Sequence, residues 1–158
     1  KSIESGTIFF GKNLSTFEKK FNSKYKSHYG IAVGSGTDAL LISLKAIGIK
    51  KGDEVITAAN TAIPTISAIV NVGAKPVFVD INANDYLIDV KKIEKKITSK
   101  TKAIIPVHLY GQSAEMNQIL KISKKYKIHI IEDCAQAQGA KYRNKFVLLK
   151  ICYCGFIN

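Results

Sequence analysis

Gly34-Ser35-Gly36-Thr37 stands between a short apolar stretch, Ile31-Ala32-Val33, and a run with helical spacing, Leu40, Leu44 and Ile47. Glycine lets backbone N–H groups come close to an anion. A helix N-terminus carries partial positive charge, and the Thr37 hydroxyl can add one more hydrogen bond. The chemistry this suits is the holding of a phosphate by Gly36 and Thr37; a plain strand–turn–helix with Thr37 as its cap suits it equally well. No Gly-Lys-Ser/Thr follows, so this is not a Walker A loop. Ala39 occupies the third-glycine position of a G-x-G-x-x-G fingerprint, which leaves NAD as a weaker alternative.

A second candidate lies far along the chain. Glu132-Asp133 closes an apolar run, residues 128–131, that contains one histidine. A carboxylate at a strand end, in low dielectric, is costly unless a cation or several donors meet it. A protonated pyridine nitrogen is such a cation, and pairing with Asp133 would keep the ring protonated and able to act as an electron sink. A helix N-cap aspartate is the competing reading. Gln136, three residues on, can reach a ring substituent on the same side, or is an ordinary polar loop residue.

Elements to position these groups are legible in the periodicity. Phe17, Phe21 and Tyr25 recur every four residues, as on an amphipathic helix. Residues 31–33 predict a short strand, and the helix after Thr37 ends at Gly48. Val55-Ile56-Thr57 predicts a strand, and Pro64 fits the first turn of the helix that follows. Strands are predicted at residues 76–79, 102–107 and 128–132, and helices at 90–97 and 114–126. Strands alternating with helices predict an α/β fold with a mostly parallel sheet flanked by helices. Ligands in such sheets collect at the carboxyl ends of the strands. Those ends fall at residues 34–37, 58–62, 108–111 and 133–136.

A chain of 158 residues is enough for one domain with a real core. Its net charge is +12, yet the lysines are scattered and Arg143 is the one arginine. That distribution fits solvated helix faces, and acidic phosphorylated substrates, better than a nucleic-acid footprint. No run reaches the length of a membrane span, and KSIESGTIFF lacks the regions of a signal peptide, so a cytoplasmic location is expected. Cys134, Cys152 and Cys154 form no disulfide framework. Together with His108 and His129 they show no recognised metal-ligand spacing.

Five segments occur in order: Gly34-Ser35-Gly36-Thr37-Asp38-Ala39-Leu40, Gly52-Asp53-Glu54-Val55-Ile56, Gly73-Ala74-Lys75-Pro76-Val77-Phe78-Val79-Asp80, Pro106-Val107-His108-Leu109-Tyr110-Gly111 and Glu132-Asp133-Cys134-Ala135-Gln136-Ala137-Gln138-Gly139-Ala140. This combination resembles the DegT/DnrJ/EryC1/StrS family of nucleotide-sugar aminotransferases, with the large domain of fold-type-I pyridoxal-phosphate enzymes. The resemblance implies pyridoxal 5'-phosphate as cofactor, with Gly36 and Thr37 on its phosphate, Asp133 on the pyridine nitrogen and Gln136 on the phenolic oxygen. It also implies transfer of an amino group from L-glutamate to a nucleotide-linked keto-sugar, by a homodimer.

Three departures qualify that expectation. Ala62 stands where relatives commonly carry an aromatic residue that stacks on the ring, and Gln138 replaces a common histidine. The family's Schiff-base lysine lies downstream of Gln136, in a segment that does not occur here. The resemblance implies a partial cofactor-binding domain over residues 1–145. It stops at one point, and residues 146–158 form an atypical tail, as a frameshift or premature stop near Phe146 would produce. A chain without that lysine is expected not to turn over. The alternative is a non-catalytic relic that binds cofactor, nucleotide sugar or a full-length paralogue.

Overall fold

The computed structural model describes residues 4, 6 and 11–147, together with the backbone of Cys152 and Tyr153. The chain divides into two compact units, Lys1–Gly34 and Ser35–Asn158.

In the first unit, α1 (Lys12–Tyr25) forms as the aromatic spacing predicts. Phe17, Phe21 and Tyr25 meet in sequence along one side, with ring centroids 5.7 and 4.5 Å apart. The strand expected at residues 31–33 does not form. Ile31 is 84% exposed, and Ala32 N–H donates to Glu18 Oε1 on α1 at 2.9 Å instead of to a neighbouring strand. An apolar triplet becomes a strand only where a ladder partner satisfies its backbone. Among the described residues none does so here.

The second unit begins with α2 (Gly36–Ala46) and is built on a parallel sheet. β1 (Glu54–Ala58) is central, with β2 (Lys75–Val79) on one side and β3 (Thr101–Ile105) on the other. β4 (His129–Ile130) lies beyond β3. Ile131 N–H donates to Ile104 C=O at 3.1 Å, and Asp133 N–H to Pro106 C=O at 3.0 Å. β5 (Glu132–Asp133) therefore continues the path of β4 past the end of β3. Pro76 is accepted because β2 is an edge strand. Lys75 N–H points inward to Asp53 C=O (2.8 Å), so the missing N–H of the next residue falls on the open side.

Alternation along the strands sorts two apolar layers. Ile56, Ile104 and Ile130 pack with Ile93, Met116 and Ile119, beneath α4 (Val90–Ile93) and α5 (Met116–Tyr126). Val55, Ala103, Ile105 and Ile131 pack with Leu40, Leu44 and Ile69, beneath α2 and α3 (Ile63–Asn71). Both faces are covered, which is why the strands read as nearly continuous apolar runs. The α/β expectation is met. The predicted helix at 90–97 divides into α4 and a 3₁₀ turn, Glu94–Lys96.

The leading residues of two of the five segments serve the opposite, amino edge of the sheet. Gly73 has a left-handed φ of +84°, and a Cβ there would meet Lys51 Cα at 3.2 Å. Its C=O accepts from Gly52 N–H at 3.3 Å. Glu54 Oε2 accepts from Thr98 Oγ1 at 2.6 Å. These residues are turn and edge chemistry, remote from the carboxyl ends.

After β5, a hairpin of β6 (Lys141–Tyr142) and β7 (Lys145–Phe146) turns through Arg143 and Asn144, both with positive φ, as the twist of a two-residue hairpin demands. β8 (Cys152–Tyr153) pairs in parallel with β5. The rest of the tail expected to be atypical, 148–151 and 154–158, lies outside the described residues, as does the Cys152/Cys154 side-chain pair.

Candidate functional site

The N-terminus of α2 is capped by Ser35, not by Thr37. Ser35 Oγ accepts from Asp38 N–H (3.2 Å), and its hydroxyl donates to Asp38 Oδ2 (2.7 Å). This is a serine N-cap whose hydroxyl is itself steadied by the carboxylate in the third helical position, and Ser35-x-x-Asp38 is its sequence signature. Ala39 N–H closes on Ser35 C=O at 3.1 Å. The first-turn N–H groups of Gly36 and Thr37 are then left without an acceptor among the described residues, at the positive end of the helix. Thr37 sits in the second helical position, half-buried, where its backbone N–H faces an anion better than a capping residue would.

Asp133 ends β5 and is 4% exposed. Its Oδ2 accepts from Thr65 Oγ1 at 2.9 Å, and its Oδ1 from Ala135 N–H at 3.1 Å. Thr65 lies in the first turn of α3 and in turn accepts from Thr61 Oγ1 at 3.0 Å. The carboxylate is thus held at the carboxyl edge of the sheet by donors from two elements. No buried side-chain polar atom lacks a partner among the described residues, so the burial of Asp133 is compensated.

Gln136 is exposed and hooks the neighbouring loop. Tyr110 N–H points to its Oε1 at 3.4 Å, and Gly111 N–H donates to its backbone C=O at 3.0 Å. With Oε1 so engaged, the side-chain NH₂ is the group left to meet an anionic oxygen.

Asp133 and Gln136 thus lie on one strand end and the loop that follows it, the first held by Thr65 and Ala135 and the second by Tyr110 and Gly111. Gly36 and Thr37 have no hydrogen bond to either among the described residues. They are related through the apolar layer: Ala39 of α2 and Ala135 of the loop after β5 pack against the same buried cluster. Ala62 caps α3 and offers a methyl group only.

Thr61 lies in the strand-end segment 58–62 that the sequence marks, while Thr65 gave no signal there. Nor did the grouping of His108, Glu132 and Cys134, all buried, whose ligand-type atoms lie within 4.8 Å of one another. Each is already engaged by the protein. His108 Nδ1 accepts from Ala114 N–H (3.0 Å), its Nε2 faces Glu132 Oε2 (3.2 Å), and Cys134 Sγ contacts Val147 C=O (3.5 Å).

A model of the DegT/DnrJ/EryC1/StrS aminotransferase family matches residues 1–150. The chain belongs to this family. Among DegT/DnrJ/EryC1/StrS relatives, the dTDP-3-amino-3,6-dideoxy-alpha-D-galactopyranose transaminase of Aneurinibacillus thermoaerophilus is 51% identical over 145 residues, 92% of this chain and 40% of that protein. GDP-perosamine synthase of Escherichia coli O157:H7 is 44% identical over 87% of this chain and 38% of its own length. The solved structure of NtdA from Bacillus subtilis, with the cofactor PMP bound, superposes with a TM-score of 0.87 at 42% identity, covering 91% of this chain and 33% of that one. The chain thus spans about two fifths or less of the relatives it matches.

Proposed function

We propose that this chain is the cofactor-holding part of a pyridoxal 5'-phosphate-dependent aminotransferase that moves an amino group from L-glutamate to a nucleotide-linked keto-sugar, in the cytoplasm and as a homodimer. The observation that carries this reading is Asp133: a buried carboxylate at a parallel strand's carboxyl end, fixed by Thr65 and Ala135. The residues fit the group. The outward N–H groups of Gly36 and Thr37 suit a phosphate, the Asp133 carboxylate suits a pyridinium nitrogen, and the Gln136 amide suits a phenolate oxygen. The family membership and the relatives' printed activities support the same assignment.

When bound, the cofactor supplies an electron sink for the substrate carbon whose proton is removed. The chain's own residues bind and orient. Gly36 and Thr37 anchor one end by charge-assisted hydrogen bonds. Asp133 keeps the ring nitrogen's proton in place from within the sheet edge, and Gln136 fixes the rotation of the ring. The described residues that hold Asp133 and Gln136, namely Thr65, Ala135, Tyr110 and Gly111, include no lysine. The role proposed for this stretch is holding the group, with amine exchange left to residues it does not contain.

PMP needs no covalent link, so it tests this directly. Titration of the purified chain with PMP, followed by its fluorescence, is expected to saturate, and Asp133→Ala is expected to abolish the saturable signal while far-ultraviolet circular dichroism is unchanged. A wild-type chain that shows no saturable binding overturns the assignment.

A further inference from the structure

Asp133 is held by a hydroxyl from an element far away in sequence, and the direction of that hydrogen bond is determined. An ionised carboxylate can only accept. Thr65, whose Oγ1 lies 2.9 Å from Asp133 Oδ2, must therefore donate its single hydroxyl proton to it. Thr61 Oγ1, 3.0 Å from Thr65 Oγ1, must then be the donor to Thr65. The chain of hydroxyls runs one way, Thr61 to Thr65 to Asp133, and ends on the carboxylate. Thr65 has no second orientation that keeps both bonds. Its side chain is fully buried, and its place in the first turn of α3 is set by the Ala62 cap, whose C=O accepts from Thr65 N–H at 3.1 Å.

We infer that Thr65 is the positioning residue for the ring-nitrogen contact: it fixes the direction of the Asp133 carboxylate, and Thr61 fixes the direction of Thr65. This rests on the proposed cofactor site. Ala62 gives that site no flat face to press against a ring, so ring orientation falls to the hydrogen bonds at its edges. A carboxylate free to rotate by tens of degrees would lose the in-plane geometry on which such a bond depends. Thr65 thus reaches the ring without touching it, by holding one carboxylate oxygen while Ala135 N–H holds the other.

The test compares PMP with its 1-deaza analogue, in which a C–H replaces the ring nitrogen, by fluorescence titration of the full chain. Wild type is expected to prefer PMP. Thr65→Val keeps the shape of the side chain and removes the hydroxyl; it is expected to weaken PMP roughly tenfold, the scale of one hydrogen bond to a charged group, and to leave the affinity for the deaza analogue unchanged. Thr65→Ser restores the hydroxyl and is expected to restore the preference. Thr61→Val, at a half-buried position, is expected to show a smaller loss of the same kind, and decides the matter if Thr65→Val does not fold. Equal loss of both ligands in Thr65→Val, or an undiminished preference in either valine variant, overturns the positioning role. A wild-type chain that binds both ligands equally overturns the cofactor assignment itself.

Discussion

His108 Nε2 lies 3.2 Å from Glu132 Oε2, and both side chains are sealed from solvent. Ala114 N–H donates to Nδ1, so Nδ1 is the acceptor and Nε2 carries the proton that points at the carboxylate. Glu132 immediately precedes Asp133, and the loop that starts at His108 reaches Gln136 through Tyr110 and Gly111. One buried bond therefore ties the strand bearing the carboxylate to the loop that holds Gln136.

Removing one partner of such a pair leaves a buried carboxylate short of a donor. His108→Ala is expected to destabilise the chain by about 2 kcal/mol, the scale of a buried charged acceptor losing a donor, read as a lowered urea midpoint. A shift well under about 1 kcal/mol, the scale of an exposed pair, would show that the bond contributes little.

At the other end of the site, Ser35→Ala removes the hydroxyl that caps α2. The expected loss of stability is about 1 kcal/mol, and the first-turn N–H groups of Gly36 and Thr37 lose their fixed direction with it. PMP affinity is expected to fall in parallel, with Ser35→Thr close to wild type. Unchanged affinity in Ser35→Ala would separate the cap from anion binding.

The pair of Asp80 and Lys92, 2.8 Å apart, supplies a contrast. The hydrogen bond between them holds the Asp80 carboxyl below its ordinary range and the Lys92 ammonium above its own. Asp80's contribution is present above the ordinary carboxylate value and is lost as pH falls through the lowered one. That of Lys92 is present below its ordinary value and is lost as pH rises through the raised one. Both groups are exposed, and solvent screens them. Asp80→Asn is expected to leave the urea midpoint unchanged near neutral pH, at low and at high salt. A clear loss at neutral pH would mean the surface pair is stronger than its exposure implies.

The layers of the fold were legible because they are local patterns. Leu40 and Leu44 repeat at helical spacing, and Ile56 and Ile104 take their place by alternation within apolar strands. Strand 31–33 failed on the same criterion, since an apolar triplet says nothing about whether a partner exists. The capping serine was readable in Ser35-x-x-Asp38 and was eclipsed by the more conspicuous threonine. Thr65 was not readable at all. Its contact with Asp133 spans 68 positions, and a threonine in the first turn of a helix looks like any other helix residue until the sheet brings the two together.

Pro76 gives the sheet a direction of growth. Its imide nitrogen takes one of the outward-facing donors from β2, so a strand from another molecule finds a weakened ladder there. β3 and β4 lie on the opposite flank, and that flank is the one where Asp133 emerges. The flank that carries Asp133 is also the one to which β8 is added, beside β5.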